Sequence, residues 1–205
     1  LVFCDLAKSD AKGVFQTFAN RDLRQFRKLS MYIHAEDATV NGTDQPRGTV
    51  ADKDLTAVVR LGTDFINNYY EIRIPLLLTN IPNSLQPDTD AYNDTLWNTL
   101  NSLDLDLLTL TKLKQQRNLS SSSLTQLFSQ LQSNGQTYSI IGNPNLGEIR
   151  GILLGVENTN SNYPGGACGQ IWVNELRLSS IDEKGGWAAL GRVDINLADL
   201  GTLSL

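Results

Sequence analysis

Apolar residues in this chain recur at every second position in short runs, and Gly, Asn, Asp and Pro punctuate the runs. Side chains alternate between the two faces of an extended strand with that same period, so the pattern demands sheets that bury one face. LTAVVRLG puts Leu55, Ala57, Val59 and Leu61 on one face, and YYEIRIPLLL does the same with Tyr70, Ile72, Ile74, Leu76 and Leu78. GTDFINN between them reads as a hairpin connection, and Pro75, which has no N–H to donate, predicts an edge position. In LRQFRKLSMYIHAE, Met31, Ile33 and Ala35 lie opposite Tyr32 and His34.

Further strands follow from the same rule: LVFCDL at the start, TYSIIG, EIRGILLGVEN, and QIWVNELRL as a closing strand. The Gly-containing stretch after LVFCDL, the run Asp37 to Asp54 and the run Asn80 to Asn93 read as loops. Around Leu96 to Leu107 the helical and strand periods both fit, and the reading adopted is a short strand followed by a helix over Thr109 to Arg117. A second helix is expected over Ser122 to Leu131, where Leu124, Leu127, Phe128 and Leu131 form a stripe behind serine caps. Roughly eight strands with two short helices make a mainly β, jelly-roll-like antiparallel sandwich over residues 1–181.

A chain of 205 residues is long enough for one domain with a sizeable core. Hydrophobic content of 40% excludes general disorder, and a net charge of −5 without a Lys/Arg cluster argues against nucleic acid as a partner. No apolar run is long enough for a membrane helix. The chain opens at Leu1 without Met and stops within an apparent strand, so it is expected to be a piece of a larger protein. Its two cysteines, Cys4 and Cys168, each lie beside a terminal strand. A disulfide is possible if those strands pair.

The last part, residues 182–205, is different. After the turn DEKGG, one face of an extended strand would carry Trp187, Ala189, Gly191, Val193, Ile195 and Leu197, and the other Ala188, Leu190, Arg192, Asp194 and Asn196. That length, period and leading aromatic suit a tilted strand of an outer-membrane barrel with lipid on the first face. A soluble antiparallel sheet shows the same period, so the pattern leaves both open.

Reactive constellations are sparse. The single histidine, His34, sits in an alternating strand where a surface or hydrogen-bonded role is ordinary, and no GxSxG elbow accompanies it. Asp88, Asp90 and Asp94 resemble a fragment of a calcium loop but lack its turn glycine and terminal glutamate. Glycosidase chemistry would need two facing carboxylates, and the strand residues Glu71 and Glu175 are the candidates. Tyr69, Tyr92, Trp97 and Trp172 could form an exposed platform for sugars, which makes a carbohydrate-binding module of a cell-surface protein the alternative function. No catalytic residue, metal ligand or cofactor site is expected.

RKLSMYIHAE, DLTAVVRLGTDFINNYYEIRIPLLL, LTKLKQQRN, GNPNLGEIRGILLGVEN, QIWVNELRL and DEKGGWAALGRVDINLADLGTLSL look like successive motifs of the SprA/Sov family of Bacteroidetes outer-membrane proteins. The resemblance runs from about Leu23 to the end, with RLGTDFINNYYE and VNELRLSSIDEKGGWAA its most specific blocks. Ser120 to Ser123 and the pair Cys4 and Cys168 depart from it. The resemblance implies a non-catalytic part of the type IX secretion translocon, also needed for gliding. Its implied partners are secreted cargo, a partner barrel protein, a plug and periplasmic components, with membrane lipid at the C-terminal strands. It also makes the tail a barrel strand pair. The short ADLG link after Leu197 would then be a periplasmic turn and the preceding domain extracellular.

Overall fold

The computed structural model describes residues 1–37, 50–79, 81–82, 84–159 and 166–181, together with the backbone of 194–197 and 201–204. The chain is mainly β. One sheet is six-stranded and antiparallel, in the order β2 (Ala11–Arg21), β9 (Ile149–Asn158), β4 (Leu55–Gly62), β5 (Tyr69–Pro75), β8 (Thr137–Ile141), β7 (Phe128–Leu131). The other is four-stranded: β1 (Val2–Leu6), β10 (Ala167–Ile181), β3 (Phe26–Glu36), β6 (Leu103–Asp106). Two short helices, α1 (Asp90–Leu96) and α2 (Leu107–Leu119), lie between β5 and β7 in sequence.

The alternation dictates how the sheets pack. Leu55, Ala57, Val59, Leu61, Tyr70, Ile72 and Ile74 from the larger sheet join Phe3, Met31, Ile33, Ala35, Leu103, Leu105 and Ile171 from the smaller in one buried core. Each such large side chain contributes about 1.5–3 kcal/mol on leaving water. Helix α2 adds Leu107, Leu110 and Leu113 to that core, and Asp106 caps it by accepting from the Leu108 N–H at 2.9 Å.

Four expectations need correction. Strand β5 is interior, flanked by β4 and β8. Pro75 is tolerated because Leu76 N–H bonds Leu55 at 2.9 Å, which turns the Pro75 nitrogen away from β4, and the β8 pairing ends at Arg73. The helix expected over Ser122–Leu131 is absent: Phe128–Leu131 is the edge strand β7, paired with β8. The loop after LVFCDL contains the 11-residue strand β2, and the loop ending at Asn93 contains the start of α1. QIWVNELRL is the middle of a 15-residue strand, bent by an irregularity between Asn174 and Arg177 where Glu175 takes φ 55°.

Cys4 and Cys168 are joined in a disulfide between neighbouring strands β1 and β10, across a sequence separation of 164 residues. Linking residues so distant restricts the unfolded chain strongly, by about 2–4 kcal/mol in typical cases. The Cys4→Ser, Cys168→Ser double variant is therefore expected to unfold at lower urea by that amount, and an unchanged midpoint would show that β1 is held by its ladder alone.

Of the predicted tail strand, Trp187, Ala189, Gly191 and Val193 lie outside the described residues. Ile195 and Leu197 fall in β11 (Asp194–Leu197), which pairs antiparallel with β12 (Gly201–Ser204) through Asp194↔Ser204 to Leu197↔Gly201. Neither large sheet closes on itself among the described residues. No described helix is long and apolar enough to cross a membrane, which says nothing of strands.

Candidate functional site

Three sequence blocks far apart in the chain meet at one end of the sandwich, around the loop Gly142–Glu148. From α2, Lys114 Nζ donates to the Pro144 carbonyl at 2.7 Å and the buried Arg117 guanidinium donates to the Gly142 carbonyl. From β5, the Tyr70 hydroxyl donates to the same Pro144 carbonyl at 3.3 Å. From the β4–β5 hairpin, the Asn68 side chain accepts from the Asn143 N–H at 2.9 Å. Burial holds the Tyr70 hydroxyl at a pKa of about 12, so it stays a donor across the working pH range. Burial also lowers the Lys114 ammonium pKa, and the neighbouring Arg117 charge adds to that.

The hairpin that reaches this loop is built around Asp64. Its carboxylate accepts from the N–H groups of Ile66 (2.8 Å), Asn67 (2.5 Å) and Asn68 (3.1 Å) and from the Asn68 side chain (3.0 Å). Four donors on one short acidic side chain wrap TDFINN into a fixed turn. Gly142 completes the fit. It has φ +67°, and a Cβ there would lie 1.8 Å from the Asn67 carbonyl oxygen, so only glycine admits the hairpin this close.

Partial burial works to raise the Asp64 pKa, but those donors outweigh it and bring it from 3.8 to about 2. A carboxyl depressed on folding stabilises the native state fully above its unfolded pKa, and the contribution fades as pH falls through the folded value. Wild-type stability should therefore fall more steeply with acid between 3.8 and about 2 than that of the non-titrating Asp64→Asn variant. Parallel slopes in urea titrations across that window would refute the assignment.

On the outer face of the larger sheet, Glu71 is buried and accepts from Arg60 Nε at 2.6 Å. Arg73 lies 3.6 Å from its other oxygen and pairs with Glu157 at 2.8 Å. Arg60 also donates to the Phe65 carbonyl at 3.1 Å and stacks over the Tyr69 ring at 4.5 Å. The two proposed glycosidase carboxylates are thus separated: Glu71 is in the six-stranded sheet, and Glu175 is in the four-stranded sheet, paired with Arg177.

The four residues considered as a sugar platform are likewise divided. Tyr69 is buried on the larger sheet, and Tyr92 is half-buried on α1. Trp97, which follows α1, and Trp172 on β10 do converge, with the His34 ring between them at 6.2 and 6.1 Å and Tyr32 at 6.2 Å from Trp97. His34 is buried, with Nδ1 3.0 Å from the Leu96 carbonyl and Nε2 3.3 Å from Glu36. It ties α1 onto the outer face of the smaller sheet. Asp88 and Asp90 flank Thr89, which caps α1 by accepting from the Tyr92 N–H, and no three His, Cys, Asp or Glu side chains among the described residues could share a metal.

Sequence reasoning named none of Asp64, Asn68, Tyr70, Lys114 or Arg117 as a site. The available signal was an Asp followed at close spacing by Asn in a Gly-led connection, the signature of a side-chain-capped turn. A family model described as motility related/secretion protein, SprA_N, matches residues 1–205. No curated protein matches the chain.

Proposed function

Since the chain belongs to the SprA_N family of motility-related/secretion proteins, we propose that it is a non-catalytic scaffold domain of an outer-membrane protein-secretion channel. In this reading it is a jelly-roll-like domain attached to barrel strands by the tail. It stands on the extracellular side and helps shape the exit for folded cargo and gliding adhesins. The partners are the cargo, a partner barrel protein, a plug and periplasmic components.

One observation carries the scaffold role. The blocks RLGTDFINNYYE, LTKLKQQRN and GNPNLGE, which carry the resemblance, converge on a node where their polar groups bind main-chain carbonyls and N–H groups. Side chains engaged in that way hold geometry and do no bond-making. The disulfide supports an oxidising location outside the cytoplasm.

Removing residues 1–180 from the parent protein while keeping its barrel in the membrane is expected to abolish release of cargo into the medium. Undiminished release would end the scaffold reading. For the side of the membrane, both native cysteines are consumed in the disulfide. A Lys112→Cys substitution on the exposed face of α2 therefore supplies a free thiol in this domain, read against the parent without the substitution. A membrane-impermeant maleimide should label it in intact cells; labelling only after permeabilisation would place the domain in the periplasm.

A second reading, carbohydrate binding, draws on Trp172, 57% exposed and linked to Trp97 through the His34 ring. It requires the tryptophan fluorescence to respond to cell-surface glycans and to lose that response in Trp172→Ala.

A further inference from the structure

The outer face of the smaller sheet carries a groove distinct from the loop node. Its floor is strand β3, which is interior to that sheet, with β10 on one side and β6 on the other. Leu29, Met31 and Ile33 of β3 point into the core, so the alternate residues face outward. The register sets the outward side chains in rows across the strands: Tyr32, then Arg177, Ser30 and Asp104, then Ser179 and Lys28. Thr99 and Ser102, in the segment after α1, also line the groove, which encloses about 380 Å³. The register break between Asn174 and Arg177 shapes it. One extra residue of β10 is accommodated there, with Glu175 at φ 55°, so that Arg177 rather than Leu176 stands beside Ser30. The irregularity in β10 thus turns a cation, in place of an apolar residue, onto this face.

The lining specifies what fits. Tyr32 is 39% exposed, and its ring meets Trp97 edge-on at 6.2 Å. Trp97 in turn meets the buried His34 ring, which holds the Leu96 carbonyl at 3.0 Å. The Tyr32 ring is therefore set in place before any ligand arrives, and binding to it costs little side-chain freedom. Beside it, Lys28 pairs with Asp104 at 2.7 Å and Arg177 pairs with Glu175, all four side chains being exposed. Each cation is matched by a carboxylate, so neither an anionic nor a cationic ligand gains a net attraction. An apolar protein stripe laid here would strip water from both ion pairs without replacing it. A sugar hydroxyl both donates and accepts, so it can serve a carboxylate and an ammonium together while the apolar face of the sugar ring lies on Tyr32.

We propose that this groove binds a neutral oligosaccharide, with one sugar ring stacked on Tyr32 and the hydroxyls of the next held by Asp104, Lys28 and Arg177. The proposal rests on the carbohydrate reading, moves its centre from Trp172 to β3, and is independent of the secretion reading.

The test titrates the purified full-length parent, in a sugar-free detergent, with neutral hexasaccharides of glucose, mannose, galactose and xylose by isothermal calorimetry, with hexagalacturonate and a decaproline peptide alongside. At least one neutral hexasaccharide is expected to bind. Tyr32→Ala and Asp104→Ala are each expected to lower that affinity about five- to tenfold, equivalent to one lost stacking contact or charged hydrogen bond. Tyr32→Phe, which keeps the ring, should bind like the parent. Both positions are exposed, so the tryptic digestion pattern of each variant should match the parent's. Affinity unchanged in both alanine variants would overturn the proposal, as would preference for hexagalacturonate or decaproline. Affinity lost in Trp172→Ala and kept in the two groove variants would retain the carbohydrate reading and overturn this site. Failure of every neutral hexasaccharide to bind would end both and leave the scaffold reading untouched.

Discussion

Replacing Arg117 by alanine is expected to lower the stability of the domain by about 3–5 kcal/mol, as for removal of other large buried side chains. The side chain is among the largest fully buried groups in the molecule, at 1% exposure, and it lies in the last turn of α2. Alanine would leave a cavity against the core. It would also strip the Gly142 carbonyl of its guanidinium donor, and the Asn118 side chain of contacts at 3.0 and 3.3 Å. An orphaned buried acceptor alone costs about 1–3 kcal/mol. Arg117→Met separates the two contributions: it keeps most of the stem and removes a charge that is expensive to bury, so a loss of only about 1–2 kcal/mol is expected. Urea denaturation of the two variants side by side is the measurement, and equal losses would mean that the hydrogen bonds, not the packing, hold α2 to the loop.

The second large effect is at Glu71. Its side chain is 2% exposed, while Arg60 and Arg73, which flank it, are 30% and 26% exposed. Glu71→Ala removes the buried partner of two cations, a class of change that costs about 3–5 kcal/mol when the remaining charge stays buried. Both arginines can turn toward water, and Arg73 keeps Glu157 at 2.8 Å. The expected loss therefore lies near the lower bound of about 3 kcal/mol. A double-mutant cycle with Arg60→Met should return a coupling of about 1–3 kcal/mol. A coupling near zero would show that Glu71 acts by volume alone. Because the carboxylate is shielded from solvent, the coupling should change little with salt, unlike that of the exposed pair Lys28–Asp104.

Much of the sandwich was legible because its interior obeys a local rule. Alternate residues from Leu55 to Leu61 and from Tyr70 to Leu76 are apolar, and they are the ones buried in the shared core. Leu103 and Leu105 alternate with Asp104 and Asp106, and the short strand followed by a helix is what forms there. The failures share a cause. Strand β2 carries AKGVFQTFANR on an open edge, where its side chains meet solvent and no alternation is imposed. The stripe Leu124, Leu127, Phe128, Leu131 has helical spacing, yet Leu131 is 76% exposed and the segment pairs through its backbone with β8. At a sheet edge, main-chain hydrogen bonds to the neighbouring strand outweigh the period of the side chains.

The candidate node was hidden for a related reason. Asp64, Tyr70, Arg117 and Pro144 are unremarkable where they stand in the sequence. Their significance arises from chain closure, which brings a hairpin, a helix and a loop to the same few carbonyl groups.

The sequence alone determined that this protein is built of antiparallel strands around an apolar core and that it belongs with secretion and motility proteins, because period and motif are carried by neighbouring residues. Tertiary structure alone decided that Cys4 bonds Cys168 and that Glu71 is a buried anion between two arginines. Each of these depends on which distant strands lie side by side, and strand pairing is settled by the packing of the whole chain rather than by any one stretch of it.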